Sequence, residues 1–278
     1  DALFCVKQGV DYLALSFVRR GEDIEYLINF LKENKLTPPP IVAKIEKPQA
    51  LDDIDDILKQ AQAIMVARGD LGVELPAQQV PVIQKKLIEQ ARLAEKPVIV
   101  ATQMLESMIG SLQPTRAEVS DVANAIFDGA DAVMLSGETA AGQYPVQVIE
   151  MMSNIISEAE QHCMTTEYRA HEASSISSPH FYHAVAHSAS YASMKADVQA
   201  IVVLSTSGQM ALRVSKLKPH RKIIALTPDK QVYNRLSLLW GVTPLFIPYG
   251  DNTDETLRRG ETAICQHNLL QEGDKVVF

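Results

Sequence analysis

Ala63-Ile64-Met65-Val66-Ala67-Arg68-Gly69-Asp70-Leu71-Gly72 sets five apolar residues directly against an arginine, a glycine and an aspartate. An uninterrupted apolar run this short, ending in a turn signal, reads as a strand buried on both faces. The pattern recurs on both sides: Tyr12 to Phe17 and Ile41 to Ile45 lie upstream, Pro97 to Ala101 and Ala132 to Leu135 downstream. Between these runs the apolar residues take helical spacing. Ile24, Leu27, Ile28 and Leu31 share one face, and Leu51, Ile54, Leu58 and Ala61 a second. Val80, Ile83, Leu87 and Ala91 form a third, and Val119, Val122, Ala123 and Ile126 a fourth. A fifth opens at Pro145, a residue suited to a helix start, and runs through Ile149 and Ile156.

Strand, polar segment and helix in repetition predict parallel βα units. Two α/β architectures use them, an open doubly wound sheet and the (β/α)8 TIM barrel, of which five units make a part. The polar residues favour the barrel. Ser16 and Arg19, Glu46, Asp70, Thr102 and Gln103, and Ser136 and Glu138 each follow a strand directly, at the rim where barrel enzymes keep their chemistry. A serine-rich polar stretch from Met164 to Pro179 then breaks the pattern. A helix from Phe181 to Met194 and apolar runs at Ala200 to Leu204, Ile223 to Leu226 and Val242 to Ile247 predict a small second α/β domain. The expected division is 1–163 partial barrel, 164–179 linker and 180–278 parallel α/β domain.

The chain has 278 residues, enough for one large or two ordinary domains with real cores. A net charge of -8 argues against a nucleic-acid or anionic-membrane partner, since both need a basic face. Cys5, Cys163 and Cys265 are scattered without metal-ligand spacing and read as free thiols in a reducing compartment. No apolar run has the length of a membrane span and no signal-peptide pattern is present, so a cytoplasmic location is expected. The first residues fall inside an apolar-periodic segment (Leu3, Val6, Val10) and the last inside a strand-like run (Lys275 to Phe278). The sequence is therefore expected to be part of a longer chain.

Three constellations carry chemistry. In Lys44-Ile45-Glu46, residues two apart on a strand project an ammonium and a carboxylate to the same side. Taken alone, a surface ion pair is the plainer account. In Arg68-Gly69-Asp70, the glycine admits close backbone approach, turn N–H groups can take an anion, and Asp70 offers a hard oxygen ligand. Two carboxylates from neighbouring strands suit an incompletely ligated Mg²⁺; a tight turn with an Asp cap fits as well. In Ala101-Thr102-Gln103-Met104-Leu105-Glu106-Ser107-Met108, a hydroxyl and an amide follow a strand, which also describes a Thr helix cap ahead of core residues.

These blocks, followed by Pro114 to Glu118 and Met134 to Thr139, resemble the signature of the pyruvate kinase family, and the resemblance covers essentially the whole chain. It implies that the five strands are the fourth to eighth of that family's barrel, and that the second domain is its C-terminal regulatory domain. It implies further that Lys44 is a catalytic, substrate-binding lysine and that Glu46 and Asp70 ligate Mg²⁺ (or Mn²⁺). Backbone groups of Gly69 and Asp70 would hold the substrate carboxylate. Thr102 would stand beside the enolate carbon and take part in its protonation, and Ser16 near a K⁺ region. Ser205, Thr206, Ser207 and Gly208 resemble a loop that binds an effector phosphate, although Gln209 stands where the family often has a basic residue; a plain strand-to-helix turn accounts for the same loop. The implied partners are phosphoenolpyruvate, pyruvate, ADP and ATP, in a family that is usually tetrameric. The alternatives are a non-catalytic fragment that keeps the metal site, and a metal-dependent aldolase or lyase acting on pyruvate or phosphoenolpyruvate. The second leaves Lys44 and the Thr102 block unexplained.

Overall fold

A computed structural model describes residues 1–165 and 181–278, and the chain divides into two compact units, Asp1–Thr166 and Glu167–Phe278. The first begins with α1 (Ala2–Lys7) and then alternates β1 (Leu13–Leu15), α2 (Gly21–Glu33), β2 (Ile41–Ile45), α3 (Gln49–Asp52), α4 (Ile54–Gln60), β3 (Ala63–Ala67), α5 (Arg68–Glu74) and α6 (Val80–Leu93). It continues with β4 (Val98–Ala101), α7 (Arg116–Phe127), β5 (Ala132–Met134), α8 (Gly137–Ala140) and α9 (Pro145–Thr165). Its five strands are parallel and lie in sequence order, β1-β2-β3-β4-β5. A doubly wound sheet would reverse direction at some point; consecutive order without reversal is the arrangement of a run of barrel units.

Strand alternation sorts the apolar residues. Ile41, Ala43 and Ile45, with Ile64, Val66, Val98 and Val100, join one core with the helix residues Ile24, Ile57, Leu87, Ile88 and Val122. Val42 and Lys44 project from the opposite face of β2, because side chains alternate along a strand. Two helical faces differ from expectation. The Leu51 to Ala61 face is divided into α3 and α4 at Asp53, whose φ is -113° and whose carboxylate accepts the Gly21 N–H at 2.8 Å at the start of α2. In α9 the buried face is Val148, Met152, Ile155, Ala159 and Cys163, one residue out of phase with Ile149, which is 56% exposed.

The second unit contains α10 (Phe181–Lys195), β6 (Ala200–Leu204), α11 (Gln209–Lys216), β7 (Lys222–Thr227), α12 (Lys230–Leu236), β8 (Val242–Phe246), α13 (Thr253–Gln266) and β9 (Val276–Val277). Its parallel sheet has the order β8-β7-β6-β9. Ile201, Val203, Ile223 and Ala225 pack with Ala186, Ala211, Val214, Val232 and Leu236 on one face. Ala200, Val202, Ile224 and Leu226 pack with Ile264 on the other, so the unit is a three-layer α/β sandwich. Pro244 is accommodated because β8 is an edge strand. Of the expected linker at 164–179, only the first two residues are described, as the end of α9. No described helix is long and apolar enough to cross a membrane, and Cys5, Cys163 and Cys265 are free.

Candidate functional site

Register brings the chemistry-bearing residues to one edge. Leu15 pairs with Ala43, Ile45 with Val66 and Ala67 with Ala101. Ser16, Glu46, Arg68 and Thr102 are therefore each the first residue past a strand, side by side at the C-terminal ends of β1 to β4.

Lys44 Nζ lies 2.5 Å from Glu46 Oε1 and donates to Ser16 Oγ at 3.1 Å. The surface ion pair is excluded as an account of this contact: the Glu46 side chain is 1% exposed and that of Lys44 25%. A buried carboxylate is costly unless both oxygens are satisfied. Here the second oxygen accepts the Phe17 N–H at 2.6 Å. Phe17 reaches this position in the left-handed region (φ 58°), with its ring 58% exposed and the Lys47 ammonium 5.5 Å from the ring centre. Such a conformation in a bulky residue costs roughly 1–3 kcal/mol, and its N–H contact to Glu46 is what the structure shows in return. Nothing in the sequence marks a phenylalanine for positive φ, so Phe17 escaped the sequence reading.

Arg68-Gly69-Asp70 is not a free turn but the first turn of α5, which starts on the residue after β3. Gly69 donates its N–H to Thr102 Oγ1 at 2.7 Å, and a Cβ at position 69 would stand 3.3 Å from that oxygen. The close approach that needs glycine is thus made by Thr102. The Thr102 hydroxyl donates in turn to the Ala101 carbonyl at 2.6 Å, leaving one lone pair open. Thr102 and Gln103 are both left-handed, with φ of 72° and 53°. The Arg68 side chain, 10% exposed, pairs with Asp121 Oδ1 at 2.6 Å through Nη1 and donates from Nη2 to the Thr102 carbonyl at 2.8 Å. Neither Arg68 nor Asp121 drew attention in the sequence as a pair, because they stand far apart on β3–α5 and α7.

The loop after Thr102 is tied down by Glu118. Its carboxylate accepts the Ser107 N–H at 2.7 Å, the Thr115 N–H at 2.7 Å and the Thr115 hydroxyl at 2.9 Å, while Thr115 caps α7. Thr115-x-x-Glu118 is a capping box. Burial pushes the Glu118 carboxyl up, but the Ser107 and Thr115 donors together outweigh it and hold the group below its usual value of 4.5. A lowered folded pKa adds stability above the unfolded pKa and loses it as pH falls through the folded one. Glu118→Gln is expected to destabilise the chain by about 1 kcal/mol at pH 7, with the difference from wild type shrinking in acid; urea unfolding at several pH values measures it. Glu138, expected at the rim, is 3% exposed, and its carboxylate accepts the Ser136 N–H at 2.8 Å and the Leu105 N–H at 3.3 Å. Both of its oxygens thus hold backbone.

Asp70 is exposed. Glu46 and Asp70 supply two carboxylates, and no group of three or more His, Cys, Asp or Glu able to hold a metal exists among the described residues. Hard oxygens in that number fit a Mg²⁺ or Mn²⁺ whose other positions are filled by water and substrate. The Ser16 hydroxyl, at the same rim, accepts from the Lys44 ammonium. In the second unit, Ser205 is buried at the end of β6, Thr206 and Ser207 are exposed, and Gly208 (φ 80°) caps α11. The loop lies where the strand order switches between β6 and β9, the place where open α/β sheets bind ligands.

The family described as "Pyruvate kinase, barrel domain" matches residues 1–149, more than half of the chain, and "Pyruvate kinase, alpha/beta domain" matches residues 183–278. The chain belongs to the pyruvate kinase family. It is 46% identical to a pyruvate kinase of Geobacillus stearothermophilus over 281 residues, covering 100% of this chain and 47% of that one. To a pyruvate kinase of Agrobacterium vitis it is 46% identical, covering 57% of the relative. A crystal structure of a pyruvate kinase from Cryptosporidium parvum superposes on 99% of the chain and 57% of its own length, with a TM-score of 0.93 at 35% identity. The chain thus spans about half the length of the pyruvate kinases it matches.

Proposed function

We propose that the protein carrying these residues transfers the phosphoryl group of phosphoenolpyruvate to ADP, giving pyruvate and ATP. The observation that carries this reading is the buried Lys44–Glu46 pair at the strand ends, beside the exposed Asp70 and the Thr102 hydroxyl. When phosphorus leaves the enol oxygen, negative charge develops on that oxygen. Lys44, fixed by Glu46 and Ser16, is a preorganised cation for that charge. Glu46 and Asp70 would hold Mg²⁺ (or Mn²⁺), which supplies charge neutralisation on the transferring group and the substrate oxygens. The resulting enolate needs a proton at carbon. The open lone pair of Thr102 can hold the water that delivers it, or the hydroxyl can relay it. A substrate carboxylate at the Gly69 and Asp70 backbone competes with Thr102 for the Gly69 N–H.

The same reading gives the second unit a regulatory role, with Ser205 to Gly208 taking an effector phosphate, and the division at 163 and 180 separating the catalytic and regulatory parts. A homotetramer in the cytoplasm is part of the proposal. K⁺ is part of the proposal alongside Mg²⁺. The test uses a chimera in which residues 1–278 replace the matching stretch of the Geobacillus stearothermophilus pyruvate kinase. With lactate-dehydrogenase coupling, Asp70→Asn should raise the Mg²⁺ concentration for half-maximal rate by about tenfold or more. A variant that is slower at every Mg²⁺ concentration with an unmoved midpoint would take Asp70 out of the metal's coordination.

A further inference from the structure

Thr102 is β-branched and left-handed, and Gln103 after it is left-handed too. Two such residues in succession need surroundings that over-determine them. Among the described residues, the side chain that hydrogen-bonds this backbone is Arg68. Its Nη2 donates to the Thr102 carbonyl at 2.8 Å and contacts Met104 Sδ at 2.8 Å. Its Nη1 is anchored on Asp121 at 2.6 Å, with Gln84 Oε1 at 3.4 Å, and its buried Nε has no acceptor. All of its holding power is therefore directed through the two ends of the fork, one to a fixed carboxylate and one to the strained turn. Gly69, the next residue, donates its N–H to the Thr102 hydroxyl. Arg68 and Gly69 thus hold Thr102 from two sides, by carbonyl and by hydroxyl.

We propose that Arg68 is a positioning residue for Thr102: the Asp121–Arg68 fork keeps the 102–103 turn left-handed and so aims the Thr102 hydroxyl at the carbon to be protonated. The catalytic half of this statement rests on the reading of the site as a phosphoenolpyruvate site; the structural half does not. Lysine cannot replace arginine here, because a single ammonium does not span a carboxylate and a carbonyl in a planar fork.

Two measurements test the two halves separately. On the chain itself, NMR amide exchange should show the Gly69 N–H, protected by Thr102 Oγ1, exchanging about tenfold faster or more in Arg68→Lys, with the Ile64 N–H in β3 unchanged. Asp121→Asn, which leaves the arginine in place, should give the same change at smaller size and serves if Arg68→Lys does not fold. An unchanged Gly69 amide in both variants overturns the proposal whatever the protein catalyses. In the chimera, Arg68→Lys should slow solvent exchange of the pyruvate methyl protons by about 10²-fold while the KM for phosphoenolpyruvate stays within about twofold. In a Thr102→Ala background the same substitution should cost little more, since no hydroxyl is left to aim. Full additivity of the two losses would reduce Arg68 to a stability role and refute the aiming. An inactive wild-type chimera would sink the functional reading, while the exchange result would still decide the structural half.

Discussion

In the chimera, Lys44→Met lowers kcat for pyruvate formation by about 10²–10³-fold or more, the loss expected when a preorganised group facing developing charge is removed. The substitution has a second effect that must be separated from the first. It leaves the Glu46 carboxylate, 1% exposed, without its cation and with only the Phe17 N–H as a donor. Breaking a buried ion pair from one side costs about 3–5 kcal/mol, and the 25% exposure of Lys44 places this case toward the lower end or below it. The double variant Lys44→Met, Glu46→Gln removes the orphaned charge and keeps an acceptor for Phe17. It should regain most of the lost stability and none of the lost activity. Because Glu46 is also a proposed metal ligand, regained activity would contradict the roles given to both residues.

The second large effect is on stability. Ile64 is fully buried in β3, the central strand of the five, and belongs to the core that joins sheet to helices. Ile64→Ala should cost about 2–5 kcal/mol, as loss of buried methyl groups and an incompletely collapsed cavity add together. Ile64→Val should cost only about 0.5–1.5 kcal/mol. Val82→Ala, at a position 54% exposed on α6, should change stability by less than about 0.5 kcal/mol. Urea unfolding followed by far-ultraviolet circular dichroism gives all three midpoints. A shift for Val82→Ala as large as that for Ile64→Ala would contradict the packing described for β3.

The strands were legible because parallel strands buried on both faces are apolar without interruption: Ile41 to Ile45 and Ala63 to Ala67 coincide with β2 and β3 to the residue. Strand order was not legible, and the choice between barrel and doubly wound sheet needed the consecutive order of β1 to β5. Helix phase was harder than helix existence. In α9 the apolar residues surround more of the helix than one face, and the burial of Val148 rather than Ile149 is set by what packs against it. Lys44 and Glu46 announced their shared side through the two-residue period of a strand, and the 2.5 Å contact agrees. The depth of Glu46 did not show, since burial of a charge depends on the Phe17 N–H arriving from the loop after β1. A glycine beside an aspartate points to a ligand or a turn, and that its missing side chain also makes room for the Thr102 hydroxyl could not be read from local spacing. The Arg68–Asp121 fork joins residues that only the fold brings together, and no local spacing encodes it.

The activity proposed for this strand-end cluster is transfer of a phosphoryl group from phosphoenolpyruvate to ADP. Phosphorus NMR on the chimera with Mg²⁺, phosphoenolpyruvate and ADP observes that transfer itself. The expected result is loss of the phosphoenolpyruvate resonance matched by growth of the ATP γ-phosphate, abolished in Lys44→Met. A folded chimera that binds Mg²⁺ and leaves both resonances unchanged would contradict it.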